Sequence, residues 1–291
     1  MQLLTVARRN RHNFQSSVAW QSRNLSHFTR PEKSTCIIYP NVPDACHNDQ
    51  VSVIYFVVSA PKNRNVRNAI RSTWATRAHP KPLFLCGIDT DLQIMNLLEE
   101  EAQLFNDIVI EDFVDTYLNL TIKTGFILKN FLRICPKAKY LVKCDDDVFV
   151  NPTVVETIIA GVSGTSLPLI GLMFDDGTPL RAPSNKYYIP TWLYNKSYYP
   201  TYLSGLGYLL PGKSVSRIFD ESLKVPLINM EDVFFTGMIA NEILNMTLLD
   251  RKDYFIYNRP KMTKCLYNRT AMVHSFNAEE LKEVWRSMGE C

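Results

Sequence analysis

Short apolar segments alternate with longer amphipathic ones between residues 51 and 144, and this order limits the fold more than any other feature of the chain. Four segments have the length and apolar content of buried strands: Val51–Ser59, Pro82–Cys86, Asp107–Ile110 and Lys139–Cys144. Three segments between them have helical spacing: Asn65–Trp74, Asp91–Phe105 and Thr116–Arg133. Strands that alternate with helices build a mostly parallel sheet with helices on both faces, so we predict an α/β fold.

The two ends of the sequence are less regular. Beyond residue 170 the chain becomes rich in Pro, Tyr and Gly, and we predict irregular loops through about residue 212. Helical spacing returns near Ser214–Leu223 and from about Asp232 to Leu244. Residues 1–45 are polar and have the character of a stem or linker, so residues 46–291 are expected to form the folded domain.

Three consecutive carboxylates, Asp145, Asp146 and Asp147, follow the fourth predicted strand. Adjacent negative charges repel, and a divalent cation such as Mg, Ca or Mn would relieve this repulsion because carboxylate oxygens suit it. Ligands of open α/β sheets bind outside the carboxyl ends of strands, where these residues would lie. The triplet predicts a metal that holds a phosphate-bearing ligand. The alternative is a solvated acidic turn before a helix that starts near Pro152.

The overall charge argues against one class of partner. The 291 residues include 32 basic and 29 acidic side chains, which gives a net charge of +3. So balanced a composition does not favour binding to nucleic acid by charge, and we expect no nucleic-acid partner.

Five Asn-X-Ser/Thr acceptors favour a lumenal or secreted protein: Asn24, Asn119, Asn195, Asn245 and Asn268. The seven cysteines agree with such a compartment, and their odd number leaves at least one unpaired. Cys36 and Cys46 flank a Pro-containing loop and could pair with each other. Cys144 lies inside a predicted strand and is expected to be a buried free thiol.

No membrane anchor is visible in the sequence. The apolar residues of Met1–Ala7 are too few for a signal or spanning helix, and the longest apolar run, Val51–Ala60, has the length of a core strand. The acceptor sites therefore indicate a lumenal location, but the sequence shows no segment that would direct the chain there. Either an anchor is missing from this chain or the acceptor sites are fortuitous.

Arg64, Arg67 and Arg71 are spaced three and four apart and share one face of a predicted helix. Guanidinium groups suit bidentate contact with phosphate, so this face is a candidate phosphate contact. A solvated basic face is the alternative.

Two further positions have a structural and a functional interpretation. Glu231 and Asp232 precede an apolar helical run, where carboxylates favour the helix dipole. Gly237 inside this run is costly in a helix and suggests the close approach of another group, which allows Asp232 as a general base. His274 lies among apolar residues and is either a core histidine or a ligand.

The segment Gly207-Tyr-Leu-Leu-Pro-Gly-Lys-Ser214 matches the phosphate-binding pattern G-x-x-x-x-G-K-[ST]. We do not expect a phosphate loop here, because bulky side chains would crowd its interior and Pro211 lacks an amide hydrogen.

Six motifs, taken in order, resemble those of the inverting β-1,3-glycosyltransferases, which include β-1,3-galactosyltransferases and β-1,3-N-acetylglucosaminyltransferases. The resemblance covers roughly residues 46–276. It rests on Arg67-Asn-Ala-Ile-Arg-Ser-Thr-Trp74, Asp112-Phe-Val-Asp-Thr-Tyr-Leu-Asn-Leu-Thr-Ile-Lys-Thr124, Lys143-Cys-Asp-Asp-Asp-Val-Phe-Val150, Tyr199-Pro-Thr-Tyr-Leu-Ser-Gly-Leu-Gly-Tyr208, Glu231-Asp-Val-Phe-Phe-Thr-Gly237 and His274. Each motif is weak to moderate alone, but the ordered set is specific.

The resemblance implies that residues 46–291 are a catalytic domain of the GT-A type, with an irregular acceptor-binding second half. It implies a UDP-sugar donor, with Mn bound by Asp147 and His274 and with Asp232 as the base. Six residues would line the donor site: Arg67, Arg71, Asp115, Lys123, Asp145 and Asp146. Members of this family are usually type II membrane proteins of the Golgi that act on glycoproteins or glycolipids.

Two positions depart from the pattern of that family. Leu206 stands where small residues are common in the Gly-rich segment, which would alter the sugar or acceptor pocket. Asn119 belongs both to a glycosylation acceptor and to the donor motif, so it is not expected to be glycosylated if its helix is packed.

The activity that the resemblance implies is transfer of a hexose from a UDP-sugar to a glycan hydroxyl in β-1,3 linkage, with inversion. Galactose is favoured and N-acetylglucosamine is the second possibility. A glycoside hydrolase would also need paired carboxylates, such as one of the triplet with Glu231. A non-catalytic glycan-binding module would keep the aromatic residues without transfer. Release of UDP in the presence of Mn separates a transferase from both.

Overall fold

The computed structural model describes residues 24–29, 34–47, 51–164, 166–259 and 264–288. Its strands are β1 (Cys36–Ile38), β2 (Val53–Val58), β3 (Leu83–Ile88), β4 (Ile108–Val114), β5 (Tyr140–Asp145), β6 (Phe149–Val150), β7 (Leu169–Phe174), β8 (Tyr202–Pro211), β9 (Leu248–Asp250), β10 (Phe255–Ile256) and β11 (Met272–Val273). Its helices are α1 (Ser26–Thr29), α2 (Arg64–Ser72), α3 (Leu92–Phe105), α4 (Leu120–Ile134), α5 (Pro152–Ala160), α6 (Gly212–Ser222), the π-helix α7 (Val233–Ile243) and α8 (Ala278–Met288). Single 3-10 turns cover Asp44–His47, Trp74–Thr76, Tyr117–Asn119 and Lys264–Asn268.

Within this part of the chain, eight strands form one sheet in the order β1-β4-β3-β2-β5-β8-β7-β9. The neighbours β4, β3, β2 and β5 are parallel, as are β7 and β9, whereas β1 and β8 run antiparallel to the strands beside them. A second sheet has the order β10-β11-β6. The predicted α/β fold with a mostly parallel sheet is confirmed, and the predicted helices lie within a few residues of their expected ends.

The pattern of β2 explains why helices cover both faces of the sheet. All six of its residues are buried, and successive side chains of a strand point to opposite faces. Ile54 and Phe56 lie in a core shared with α4, α6 and α7. Val53 and Tyr55 lie in a second core shared with α2, α3, α5 and α8. A strand buried on both faces reads as a continuous apolar run, as this one does.

The prediction of irregular loops through residue 212 was wrong for β7 and β8. Residues 175–201 contain no regular strand or helix, but β8 runs for ten residues between β5 and β7. Its glycines suggested a loop, yet packing requires them: a Cβ on Gly207 would lie 2.6 Å from Met272 Sδ. The strand also excludes a phosphate loop, since residues 207–211 are extended.

Part of the predicted stem belongs to the folded unit. Strand β1 pairs with β4 in the large sheet. Leu25 is fully buried against α4, where a Cβ on Gly125 would lie 2.7 Å from Leu25 Cδ2. Residues 1–23 and 30–33 of the predicted stem lie outside the described residues. No helix in the described part of the chain combines the length and apolarity needed to cross a membrane.

Cys36 does not pair with Cys46, a pairing that the sequence had left as one possibility. Cys46 is bonded instead to Cys135, with their Cα atoms 4.9 Å apart, because the turn that carries Cys46 packs against the end of α4. Cys36 is a free thiol in β1. Cys144 is buried and free, as predicted.

We expect replacement of both Cys46 and Cys135 by Ser to lower the free energy of unfolding by about 2–4 kcal/mol. The bond closes a loop with a sequence separation of 89 residues, and a cross-link of that span restricts the unfolded chain. Denaturant unfolding under non-reducing conditions measures the loss. Cys36→Ala is the matched control and should lose less; an equal loss would contradict the role assigned to the disulfide.

Candidate active site

Polar residues gather where the parallel strands end. Ser59 follows β2, Asp115 follows β4 and Asp145 ends β5. Because these strands are parallel, their carboxyl ends meet at one edge of the sheet. Asp146 accepts hydrogen bonds from Ser59 Oγ at 2.7 Å and from Asn63 Nδ2 at 2.9 Å. The middle aspartate of the triplet is therefore held at this edge by neutral donors.

Arg67 is fully buried beside this edge, which rules out a solvated basic face at its position. Its guanidinium donates to Ser59 Oγ at 3.0 Å and to Glu101 Oε2 at 2.7 Å. Arg71 instead donates to Glu101 Oε1 at 2.7 Å and to Asp107 Oδ1 at 2.8 Å. Arg67 is thus linked to Asp146 of the triplet through the hydroxyl of Ser59. Arg71 is instead bound to two carboxylates, one on α3 and one in the loop that follows α3. Direct contact of either with phosphate remains a prediction.

Asp115 and Lys123, which the sequence placed in one donor site, contact each other. Lys123 Nζ lies 2.7 Å from Asp115 Oδ2 and also donates to Ser59 O at 2.7 Å. Asp115 Oδ2 accepts from the amide of Gly87 at 2.8 Å. These bonds join the ends of β2, β3 and β4 into one rigid edge.

A cavity of about 310 Å³ opens beside this edge. It brings together Asp145, Asp232 and His274, which are far apart in sequence. Six aromatic side chains contribute to its walls: Tyr117, Phe174, Tyr187, Tyr199, Tyr202 and Tyr257. Leu206, which departs from the family pattern, is buried in β8 and lines the same cavity.

Asp147 and His274 form a pair, of which His274 lines this cavity. His274 Nε2 lies 3.4 Å from Asp147 Oδ2, and this contact raises the pKa of His274. The imidazole stacks on Tyr257 with ring centroids 5.2 Å apart. Asp147 Oδ1 is buried and has no hydrogen-bond partner among the described residues.

The small sheet produces this pair. Strand β11 runs antiparallel to β6, with Val273 opposite Phe149. His274 directly follows β11 and Asp147 shortly precedes β6, so the pairing sets the two side chains side by side. A carboxylate oxygen and an imidazole nitrogen are ligand types that a divalent cation accepts. No group of three or more His, Cys, Asp and Glu side chains suited to a metal occurs in the described ranges.

Asp232 caps the start of α7. Its Oδ1 accepts from the amide of Val233 at 2.9 Å and its Oδ2 accepts from the amide of Gly205 at 2.9 Å. Burial and the nearby Glu231 raise the pKa of Asp232 to about 6. A carboxylate with a pKa near neutrality is suited to act as a general base.

Gly237 has the close neighbours that its position in a helix suggested. A Cβ there would lie 3.1 Å from both Pro200 Cγ and Tyr202 Cβ. Helix α7 therefore packs directly against the start of β8, which fixes Asp232 relative to Gly205. The π-helical form of α7 agrees with the frequent occurrence of such turns at functional sites.

Sequence reasoning assigned no role to two lysines of the cavity. Lys143 lies in β5 and contacts Asp145, Glu231 and the carbonyl of Gly205. Lys186 lies over the ring of Tyr117, 4.7 Å from its centroid. A lysine inside an otherwise apolar strand was a signal for the first, because a buried charge needs partners. Lys186 lies in an irregular segment, where periodicity carries no information.

Comparison with known proteins decides the family. The sequence model described as Galactosyltransferase matches residues 65–245, more than half of the chain.

The chain belongs to the galactosyltransferase family.

Two curated relatives extend the match beyond this core. Human β-1,3-galactosyltransferase 1 is 30% identical over 255 residues, which cover 85% of this chain and 77% of the human protein. The lactosylceramide 1,3-N-acetyl-β-D-glucosaminyltransferase of Xenopus tropicalis is 30% identical over 261 residues, which cover 84% of this chain and 68% of that protein. The predicted β-1,3-glycosyltransferase relationship is confirmed, and the chain is a hexosyltransferase of the galactosyltransferase family.

A solved structure of the galactosyltransferase LgtC, in complex with donor and acceptor sugar analogues, also resembles the chain. The match has a TM-score of 0.40 at 13% sequence identity and covers 80% of this chain and 95% of LgtC. The mostly parallel sheet flanked by helices is the α/β arrangement predicted for this chain, and the GT-A type stays a prediction.

We expect Gly205→Ala to reduce hexosyltransferase activity at least about tenfold with little effect on folding. A Cβ on Gly205 would lie 3.1 Å from Asp232 Oδ2 and would displace this carboxylate, and small displacements of a reacting group are costly. Initial rates and thermal unfolding measure the two effects. Gly161→Ala is the matched control, since its Cβ meets only ordinary contacts at 3.6 Å; equal activities of the two variants would contradict this assignment.

Proposed function

We propose that this protein transfers a hexose from a UDP-sugar to a hydroxyl of a glycan acceptor in β-1,3 linkage, with inversion at the anomeric carbon. Galactose is the favoured sugar and N-acetylglucosamine is the second. The observation that carries the proposal is one cavity, in a chain of the galactosyltransferase family, that joins the carboxylate of Asp232 with the side chain of His274 beside Asp147. The two curated relatives carry these two activities in their names.

We propose that Asp147 and His274 hold a divalent cation, with manganese favoured, on the diphosphate of the donor. The buried Oδ1 of Asp147, which has no partner in the described part of the chain, fits such a ligand. Its Oδ2 and the imidazole nitrogen lie close enough to share one ion. When bound, the cation stabilises the charge that develops on the leaving diphosphate.

The residues of the chain supply the remaining chemistry. Asp232 accepts the proton of the acceptor hydroxyl while the hydroxyl oxygen attacks the anomeric carbon, and UDP leaves from the opposite face of the sugar. Lys186 lines the cavity and has no carboxylate within ion-pair distance among the described residues. We propose that its ammonium group contacts the diphosphate. The aromatic walls exclude water, which protects the donor from hydrolysis.

The two alternatives to a transferase are less well supported. A hydrolase would use Glu231 with a member of the triplet, but Glu231 and Asp145 are both bound to the ammonium of Lys143, so neither is free to flank a glycosidic bond. A silent glycan-binding module has no need for a carboxylate of raised pKa, such as Asp232, in the wall of its cavity. Membership of a family of enzymes also argues against such a module.

We also propose that the protein works in the lumen of the Golgi on glycoprotein or glycolipid acceptors, in association with the membrane as is usual for the family. The disulfide between Cys46 and Cys135 suits an oxidising compartment. Three glycosylation acceptors are exposed: Asn195, Asn245 and Asn268. Asn119 is buried, and its amide donates to the carbonyl of Val114, so it does not accept a glycan in this fold.

A UDP-release assay tests the proposed function. The purified chain is incubated with Mn, with UDP-galactose or UDP-N-acetylglucosamine, and with simple β-linked acceptors, and the product linkage is read by NMR. We expect release of UDP that depends on both acceptor and metal and is lost on chelation. Hydrolysis of a simple glycoside without nucleotide, or glycan binding without UDP release, would refute it.

Asp232→Asn is expected to lower kcat by about 100- to 10,000-fold, since the amide cannot accept the proton. Binding of UDP with Mn should remain near normal, because the base lies on the acceptor side. Calorimetry and initial rates measure the two effects. Asp220→Asn, a change on the exposed side of α6, is the control. Full turnover by Asp232→Asn would remove Asp232 as the base.

Asp147→Ala and His274→Ala are expected to weaken Mn-dependent binding of UDP by about tenfold or more, because each removes one of two protein ligands. Titration of UDP at several Mn concentrations measures the effect. Asp253→Ala alters an exposed carboxylate outside the cavity and serves as the control. An unchanged dependence on Mn in both variants would contradict the metal site.

The rate of transfer is expected to fall tenfold per pH unit below about pH 6. The pKa of Asp232 is raised to about 6 by burial and by Glu231, so the base is protonated and inactive below that pH and ionised above it. A profile of kcat/KM from pH 4.5 to 8 measures this decline at low pH, the acid limb of the profile. A profile that is flat across pH 5–7 would contradict the assignment.

A further inference from the structure

Lys143 is a buried charge that the proposed reaction does not require. Its side chain is 2% exposed, and an ammonium group is removed from water at a large cost unless it is paired and hydrogen-bonded. Its Nζ lies 2.9 Å from Asp145 Oδ1, 3.2 Å from Glu231 Oε2 and 2.8 Å from the carbonyl oxygen of Gly205. The ammonium group thus has three acceptors, which matches its three hydrogens.

These three acceptors belong to three separate segments of the chain. Asp145 ends β5, Gly205 lies within β8, and Glu231 precedes α7. Each segment also carries a part of the proposed site. The triplet continues from Asp145, the amide of Gly205 donates to Asp232 Oδ2 at 2.9 Å, and Glu231 is the residue before Asp232.

Gly205 is therefore held on both sides of its Cα. Its carbonyl accepts from Lys143 and its amide donates to Asp232. On the other side, Tyr208 donates its hydroxyl to Glu231 Oε1, which fixes the second carboxylate that Lys143 contacts. Loss of the ammonium group would release Gly205 and leave Glu231 and Asp145 as uncompensated charges beside the base.

Charge gives a second link between Lys143 and Asp232. Burial and Glu231 raise the pKa of Asp232, whereas Lys143 lowers it. Other ionisable groups line this cavity or interact with Asp232: Asp145 on β5, Tyr202 and Tyr208 on β8, Tyr117 before α4, Tyr199 before β8, Tyr257 after β10, and Lys186 and His274 in the cavity wall. The tyrosines are neutral near pH 6, because their pKa values are raised. Lys143 is the cation that pairs with the carboxylates of Asp145 and Glu231 beside Asp232.

We propose that Lys143 is a positioning residue for the base: it holds Gly205 and Glu231 so that Asp232 is fixed in place and its carboxylate is charge-balanced. The proposal rests on Asp232 acting as the base in the proposed function. It differs from a role in folding alone, because it predicts that opposite charge changes around Asp232 move the acid limb of the rate profile in opposite directions.

The test compares three variants by their pH profiles of kcat/KM and by thermal unfolding. Lys143→Met removes the cation and is expected to move the acid limb upward by about one pH unit, the effect of losing one nearby opposite charge. Glu231→Gln keeps the shape of the side chain but removes the anion and one of its two acceptor oxygens, and should move the limb downward by a similar amount. Lys139→Met is the control on the same stretch of chain, because Lys139 caps carbonyls of α5 and its C-terminal turn outside the cavity; its profile should match the wild type.

A crystal structure of each variant gives a readout that does not depend on activity. In Lys143→Met, the carboxylate of Asp232 is expected to leave the amide of Gly205, whereas in Lys139→Met the bond should stay near 2.9 Å. If Lys143→Met does not fold, Lys143→Arg takes its place: the charge is kept, so the acid limb should stay where it is, but the larger guanidinium cannot make the same three contacts, so the bond between Asp232 and Gly205 should lengthen. An unchanged bond in that variant would overturn the positioning role.

The outcomes separate the two proposals. No transfer by the wild-type protein would overturn the proposed function, and the crystal structures would still decide whether Lys143 fixes Asp232. Transfer by the wild type with shifts in the same direction for Lys143→Met and Glu231→Gln, or with no shifts, would overturn the positioning role. An Asp232 carboxylate that keeps its bond to Gly205 in Lys143→Met would overturn it as well.

Discussion

Neutralisation of carboxylates at the ends of parallel strands is the constraint on which the rest of the structure depends. The fold brings together Asp115, Asp145, Asp146 and Asp147 at one edge of the sheet, and Glu231 and Asp232 approach from the side of α7. Such a concentration of like charge is unfavourable unless cations or donors lie among the carboxylates. The protein places two lysines and one arginine there, all with buried side chains.

Each of these cations is shared between segments. Lys123 joins the ends of β2 and β4, Arg67 joins Ser59 to α3 through Glu101, and Lys143 joins β5 to β8 and to the start of α7. The same bonds that compensate charge therefore define the geometry of the edge. A site that is to bind a negatively charged nucleotide must be rigid before the ligand arrives, and shared cations provide this rigidity at the cost of burying charge.

The first half of the fold could be predicted from the sequence because its strands are buried on both faces and read as apolar runs, as β2 does. The strand β8 could not be predicted in the same way. Its glycines serve close packing against Met272 and Asp232, but in a sequence the same residues indicate a loop. The pattern of apolar and polar residues does not distinguish a glycine in a turn from a glycine in a strand that allows the close approach of another side chain.

The candidate site shows the same division. The triplet, Asp232 and His274 were predicted because the order of several motifs is specific. The structure places Asp145, Asp232 and His274 around one cavity and sets Asp147 beside His274. Arg71 was grouped with Arg67 on helical spacing alone, but one more turn of helix directs it to Asp107 instead. The disulfide partner of Cys46 was missed because Cys135 is distant in sequence, and only tertiary packing brings the two together.

The small sheet of β10, β11 and β6 has a consequence for the modular limits of the protein. The region shared with the family model ends at residue 245, whereas the imidazole beside Asp147 belongs to His274, which directly follows β11. Strand β11 is held in register by β6, which is only two residues long. Asp147 therefore lies inside the region that matches the family model, whereas His274 lies beyond it, and the antiparallel pairing of β6 with β11 brings the two members of the proposed cation-binding pair together.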